Sequence, residues 1–283
     1  MDLEPHFVDV SSQHFGDVTV HYRELAQSSD AEPLLLVHGL MTTSYSWRYV
    51  IEPLSHRFRV IAPDLVGCGR TDKPNVTYGP RQVAAFIGEL QQALGIGGCD
   101  VVGNSMGGYL CMQLALDEPE AMKRLVNIHS PGVPMARLYG LRAGMALPRA
   151  EKVLHALINR DPLRWAHRNV HYFDESLKSL EEAEEYGAPL REPAGSRAFA
   201  RYLRDTISPF AMRRFVQRLE AQPFPVPLRL VYATRDPMVP PRVGRRLAEL
   251  VPEAELVWLE DCSHFAHVDR PDAIVDEVMR FLD

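Results

Sequence analysis

The chain has little of what would tie it to a metal, a membrane or nucleic acid. Its four cysteines, Cys68, Cys99, Cys111 and Cys262, form no C-x-x-C pair, so neither a zinc knuckle nor a dithiol redox motif can be written from them. They read as free, mostly buried thiols of a reducing compartment. No apolar run approaches the ~20 residues that span a bilayer. Met1 to His6 is acidic and lacks the cationic start and apolar stretch of a secretory leader. These absences predict a soluble, unexported, cytoplasmic protein with no membrane partner. A basic excess is missing too: 31 lysines and arginines face 37 aspartates and glutamates, for a formal charge of −6, which leaves no footprint for a phosphate backbone and predicts no nucleic-acid partner. Internal repeats and low-complexity tracts are also lacking. Oligomeric state cannot be read from the residues.

What is present is ordinary globular material, 46% hydrophobic and 24% charged, cut into short elements by 22 prolines. After a first hairpin, apolar runs alternate with helix-like stretches. Strands are expected at Asp17–Glu24, Leu34–Val37, Phe58–Ala62, Asp100–Val102, Leu125–Ile128, Leu228–Ala233 and Glu255–Leu259. Helices are expected near residues 43–52, 80–94, 106–117, 241–250 and 271–282. Strand alternating with helix predicts an α/β fold with a doubly wound, mostly parallel sheet, because parallel strands need crossovers. Chemistry in such sheets sits beyond the carboxyl ends of the strands.

The alternation breaks between Pro131 and Pro227, where no strand is evident and helices are expected at Arg137–Leu147, Ala150–Asn159, Pro162–Phe173, Ser176–Tyr186, Ala198–Thr206 and Pro209–Glu220. The chain therefore divides into a core of residues 1–130 and 228–283 and a helical insertion of residues 131–227. Glu181, Glu182, Glu184 and Glu185 read as a solvated helix face, and Gly187, Pro189, Pro193 and Gly195 as a loop that hinges or rims the insertion. Met135, Leu138, Tyr139, Met145, Trp165, Tyr172, Phe173, Phe199 and Phe210 are candidates for apolar pocket walls or for the insertion's own core.

Gly103-Asn104-Ser105-Met106-Gly107 satisfies G-x-S-x-G between an expected strand and an expected helix, the context of a nucleophile elbow. Small residues two positions either side of Ser105 let strand and helix approach closely, and the turn aims the Met106 N–H toward an incoming carbonyl oxygen. His38-Gly39-Leu40 closes an earlier strand, where the Leu40 backbone N–H becomes a second oxyanion donor. Asp236, just past the strand Leu228–Ala233, is the candidate acid. The end of the preceding strand, another common place for it, reads Asn127-Ile128-His129-Ser130 and offers no carboxylate. Asp261 and Glu260 are the next acids in line. Among eleven histidines, His264 follows the last strand and precedes the last helix, with His267 its rival. His167 and His171, spaced i, i+4, could share a helix face but have no third ligand nearby. The resulting order, Ser105, Asp236, His264, is the Ser…Asp…His order of one hydrolase class.

Pro63-Asp64-Leu65-Val66-Gly67-Cys68-Gly69-Arg70-Thr71-Asp72-Lys73-Pro74 and the stretch His38 to Arg48 resemble corresponding loops of the capped α/β-hydrolases, the branch of haloalkane dehalogenases, epoxide hydrolases and related esterases. The resemblance spans nearly the whole chain outside the insertion's interior and implies an α/β-hydrolase sheet with a helical cap. Dehalogenases and epoxide hydrolases carry aspartate where this chain has Ser105. An alkylated aspartate is an ester that water can cleave, whereas an alkylated serine is an ether, so Ser105 points to acyl transfer. Met106 also replaces the halide-binding tryptophan of many dehalogenases. The elbow Gly103 to Gly108 is similar to that of carbon–carbon bond hydrolases acting on ring-fission products, though their glycine-rich H-G-x-G-P-G loop is here His38-Gly39-Leu40-Met41-Thr42-Thr43.

These readings predict a serine hydrolase cleaving a small to medium, largely apolar carboxylic ester. Ser105 is the nucleophile, His264 the base, Asp236 the acid, and the Leu40 and Met106 N–H groups the oxyanion hole. No cofactor or metal is expected, and the partner is a small-molecule ester. Two alternatives stand beside it, a carbon–carbon hydrolase and a non-enzymatic ligand receptor on the same fold.

Overall fold

Alternate residues along the central apolar runs face opposite ways, so each run can be buried on both sides only if helices cover both faces of the sheet. That is what the structure, a computed structural model describing residues 3–283, contains. Met1 and Asp2, the start of the acidic stretch read above, lie outside the described residues. The strands are β1 (His6–Ser12), β2 (Gly16–Leu25), β3 (Glu32–Val37), β4 (Phe58–Pro63), β5 (Cys99–Asn104), β6 (Met122–Ile128), β7 (Leu228–Ala233) and β8 (Glu255–Leu259). They form one sheet in the order β1-β2-β4-β3-β5-β6-β7-β8. β1 pairs with β2, and β2 with β4, antiparallel; every pairing from β4 through β8 is parallel.

The helices are α1 (Ile51–Ser55), α2 (Pro80–Ala93), α3 (Met106–Asp117), α4 (Ala136–Met145), α5 (Ala150–Ile158), α6 (Pro162–Asn169), α7 (Leu180–Arg191), α8 (Pro193–Arg201), α9 (Pro209–Ala221), α10 (Pro241–Leu250), α11 (Ala266–Asp269) and α12 (Pro271–Leu282). Leu35, Val37 and Val101 point into one core with Phe86 of α2, Leu110 of α3 and Leu247 of α10. Leu34, Leu36 and Val102 point into the other with Leu54 of α1 and Val278 of α12. Among the described residues no helix is long and apolar enough to cross a membrane.

The expected strands and sheet class are present, with β1 added as the first arm of the hairpin. The helix expected at 43–52 splits into a 3₁₀ turn at Ser44–Trp47, capped by the Thr43 side chain, and the short α1. Helices α4 to α9 lie between β6 and β7.

Two expectations for this insertion are overturned. Gly187 to Gly195 is no loop: Gly187 and Pro189 belong to α7, and Pro193 opens α8 at a first-turn position, where its missing N–H costs nothing. Only Glu192 breaks the helix, with extended backbone. Gly195 is small because a Cβ there would stand 1.8 Å from the Pro189 carbonyl oxygen, so the glycine marks a close approach of two helices. Nor is the glutamate run wholly solvated. Glu182 is 2% exposed, accepts a hydrogen bond from the Tyr172 hydroxyl, and pairs with Arg48 at 3.1 Å. Arg48 also lies over the Tyr45 ring. A buried ion pair thus ties α7 to the 3₁₀ turn after β3, while Glu181, Glu184 and Glu185 stay at or near the surface.

Candidate active site

β5 ends at Asn104 and α3 begins at Met106, so a single residue, Ser105, makes the turn, with φ 53° and ψ −119°. This is strained backbone for a non-glycine residue. The turn is permitted by Gly107, where a Cβ would stand 2.3 Å from the Val37 carbonyl oxygen. The Ser105 N–H donates to the Ile128 carbonyl at 2.7 Å, fixing the turn to β6.

The structure brings the three sequence-chosen side chains together. His264 Nε2 lies 2.8 Å from Ser105 Oγ, and His264 Nδ1 lies 2.7 Å from Asp236 Oδ2. The other carboxylate oxygen, Asp236 Oδ1, accepts the Met238 and Val239 N–H groups at 2.6 and 2.8 Å. Burial by itself would raise the Asp236 pKa, but the His264 imidazole, His129 and the Val239 N–H outweigh it and hold the carboxyl down at about 2. An ionised carboxylate so placed fixes the imidazole with its proton on Nδ1 and its lone pair toward Ser105. The rival His267 is buried against Trp47, 4.5 Å between ring centroids, and hydrogen-bonds to nothing. His171 falls beyond the end of α6, so His167 and His171 share no helix face; His167 Nε2 instead meets the Ser179 carbonyl at 3.0 Å.

Leu40 lines the cavity above Ser105, and Met106 is the first residue of α3, its side chain fully buried. His38 shows how the Leu40 loop is held. Its Nε2 accepts the Leu65 N–H at 3.0 Å, so the ring proton sits on Nδ1 and donates to the Gly39 carbonyl at 2.7 Å. That contact fixes the peptide whose N–H belongs to Leu40. Burial pushes the His38 pKa down, which keeps the ring neutral for this task. Asp64, in the loop after β4, accepts from the Ser44 and Arg70 N–H groups at 2.7 and 2.9 Å and bonds the buried His21 ring.

His129 is the residue that sequence reasoning passed over. It directly follows β6, where a carboxylate was sought, with φ 54° and no exposure. Its Nε2 accepts the Ala233 N–H at 2.7 Å, which places the ring proton on Nδ1, 3.1 Å from the His264 carbonyl oxygen. Asn104 Nδ2 reaches the same carbonyl at 3.4 Å. Burial, above all, drives the His129 pKa down to about 4. Donor atoms of His129, Asp236 and His264 lie within 4.8 Å of one another. The His129 lone pair is spent on a peptide N–H and its proton on a carbonyl, so the trio does not fit a metal. Its signal in the sequence was positional, a polar residue directly following the strand beside that of the acid.

The cavity over Ser105 holds about 370 Å³. Of the nine wall candidates only Met135, Leu138 and Phe199 line it; Tyr172, for example, packs instead with Tyr186 and with Phe265 of the core, in a cluster that joins the insertion to the core. Leu141, Leu203, Ile207, Met238 and Val239 complete apolar walls that the sequence did not single out. Leu203 lies in a π-helical turn at Tyr202–Thr206 and Ile207 follows it. The polar groups at the walls are Asn104, Ser105 and His264 at the floor, and Arg137 and Asn169, both exposed.

Comparison with known proteins agrees with the fold. The sequence pattern of the alpha/beta hydrolase fold family matches residues 32–271. An uncharacterized protein of Mycobacterium tuberculosis is 32% identical, over 94% of this chain and 80% of its own. The 2-hydroxy-6-oxo-2,4-heptadienoate hydrolase of Pseudomonas putida is 29% identical over 88% of each chain. Among solved structures, a thermophilic esterase from Thermogutta terrifontis superposes with a TM-score of 0.74 at 19% identity, over 98% of both chains, a likeness of fold.

Proposed function

This chain belongs to the alpha/beta hydrolase fold family, as a hydrolase, and from that premise we propose that it is a serine hydrolase cleaving a small to medium, largely apolar carboxylic ester. The observation that carries the reading is the unbroken chain Ser105 Oγ, His264, Asp236, at 2.8 and 2.7 Å, opening into an apolar cavity. Ser105 Oγ attacks the acyl carbon while His264 Nε2 takes its proton. The oxyanion faces the N–H groups of Leu40 and Met106, the latter at the positive end of α3. Collapse expels the alcohol, which receives the proton from His264, and leaves an acyl-serine. Water, deprotonated by His264, then attacks the acyl carbon, and as the acid leaves, His264 returns the proton to Ser105 Oγ and frees the serine. Asp236 stabilises the imidazolium formed in each half. Helices α4 to α9 act as the cap, supplying apolar walls that exclude water from the acyl and alcohol groups.

The Pseudomonas relative favours a second reading, carbon–carbon cleavage of a ring-fission product. Such a dienoate carries a carboxylate, and among the cavity's lining residues the one cation is the exposed Arg137 at the mouth. The apolar lining favours the ester. Rates on p-nitrophenyl acetate, butyrate, octanoate and palmitate, beside a chromogenic dienone acid, separate the two. The reading expects turnover with an optimum at short to medium chains and none of the dienone. Efficient dienone cleavage with negligible ester turnover would replace it.

A further inference from the structure

The formal charge of −6 is not spread evenly along the chain. Residues 136–169 hold seven of the 31 lysines and arginines and only two carboxylates, Glu151 and Asp161. Among the described residues none of those seven cations lies within ion-pair distance of a carboxylate, whereas fourteen of the other twenty-four do. The protein neutralises most of its cations elsewhere and leaves these to meet something else.

Helix α5 carries the centre of this region. Its inner side, Leu154 and Ile158, packs on Phe199 and Ala200 of α8. At about 100° per residue, its outer side gathers Lys152, Val153, Ala156 and Leu157 on one arc, in line with Arg149 before the helix and Arg160 after it. All six are exposed, Val153 by 57% and Leu157 by 43%, and Leu147 on the approach by 64%. An outward face of aliphatic side chains set among cations, with no acid, has the makeup of a helix lying in the interface of an anionic bilayer. The cations surround the aliphatic pair instead of rimming one continuous apolar patch, which suits headgroups around acyl chains better than a second folded surface. Arg137 and Asn169, exposed at the two ends of this same segment, line the cavity over Ser105. The cation-rich segment therefore reaches the cavity lining at both of its ends.

We propose that the outer face of α5, with Arg149 and Arg160, docks on an anionic lipid bilayer, and that the cavity draws an amphiphilic ester from it. The docking stands by itself; the choice of ester rests on the hydrolase reading above. The overall negative charge of −6 averages this segment away.

Sedimentation of the full chain with vesicles of phosphatidylcholine alone, or with about a third phosphatidylglycerol, tests the docking. Binding is expected to the anionic vesicles only and to weaken as salt rises. Combining Arg149→Glu, Lys152→Glu and Arg160→Glu should lower the partition coefficient at least about a hundredfold, and Val153→Asp with Leu157→Asp should also release the protein. Both variants should hydrolyse a soluble short-chain ester at the wild-type rate, since none of these residues lines the cavity. Absence of binding to anionic vesicles at low salt, or binding that survives both variants, would overturn the proposal. So would sedimentation velocity showing that this face instead holds a second copy. Vesicle binding that responds as stated in a protein with no ester turnover would leave the docking intact and remove the ester reading.

Discussion

His129 grips the main chain of His264: one imidazole nitrogen accepts the Ala233 N–H at 2.7 Å and the other lies 3.1 Å from the His264 carbonyl oxygen. The ring is a neutral strut between β7 and the loop that carries the base. It sits at the second common position for the acid of this fold, yet as a neutral ring adds no charge beside Asp236.

His129→Phe should keep the ring's bulk and lose both hydrogen bonds. The account expects kcat on p-nitrophenyl butyrate to fall by about 10–100-fold with KM little changed, since small displacements of a reacting group cost rates of this size. His129→Asn, which can still donate to the His264 carbonyl and tolerates the left-handed backbone, should recover much of the loss. Equal losses of kcat and of thermal stability in both variants, with no recovery in Asn, would make His129 a packing residue only.

Buried neutral histidines also set an acid limit on stability. Burial lowers the pKa of His38, of His129 to about 4, and of His267 well below the ordinary value. The unfolded chain takes up protons from about 6.5 downward while the folded chain refuses them, so stability falls as pH drops through the window from about 6.5 to about 4. Asp64 and Asp236, held at about 2, extend the loss below pH 3.8, because there the unfolded carboxyls protonate first. Urea midpoints measured at pH 7.5, 5.5 and 4.5 should decrease in that order. A flat profile would contradict neutral burial of these rings.

The close approach of α7 and α8 makes Gly195 sensitive to a single methyl group. With a Cβ 1.8 Å from the Pro189 carbonyl oxygen, Gly195→Ala must move one helix or the other. Destabilisation of about 1–3 kcal/mol in urea unfolding is expected, typical of overpacking. An unchanged midpoint would mean that the two helices slide freely.

Ser105, Asp236 and His264 were legible because each sits at a strand end whose apolar run announces it, and because the order of the three types restricts the choice. The parallel sheet was legible for the same reason, through the length and spacing of those runs. Glu182 was hidden by its neighbours: a run of glutamates reads as solvated, and only the fold reveals that one of them turns inward to Arg48. Prolines at 189 and 193 read as loop because they break helices in general, yet one falls in a last turn and the other in a first. Which insertion residues face the cavity depends on how six helices pack, and no periodicity in the sequence encodes it.

The central claim is that Ser105 is an activated nucleophile at the floor of an apolar cavity. Treating the full chain with a fluorophosphonate probe and mapping the labelled peptide tests it without assuming any substrate. The account predicts one label, on Ser105, absent from Ser105→Ala and strongly slowed in Asp236→Asn. No labelling of the folded protein, or labelling elsewhere that persists in Ser105→Ala, would contradict it.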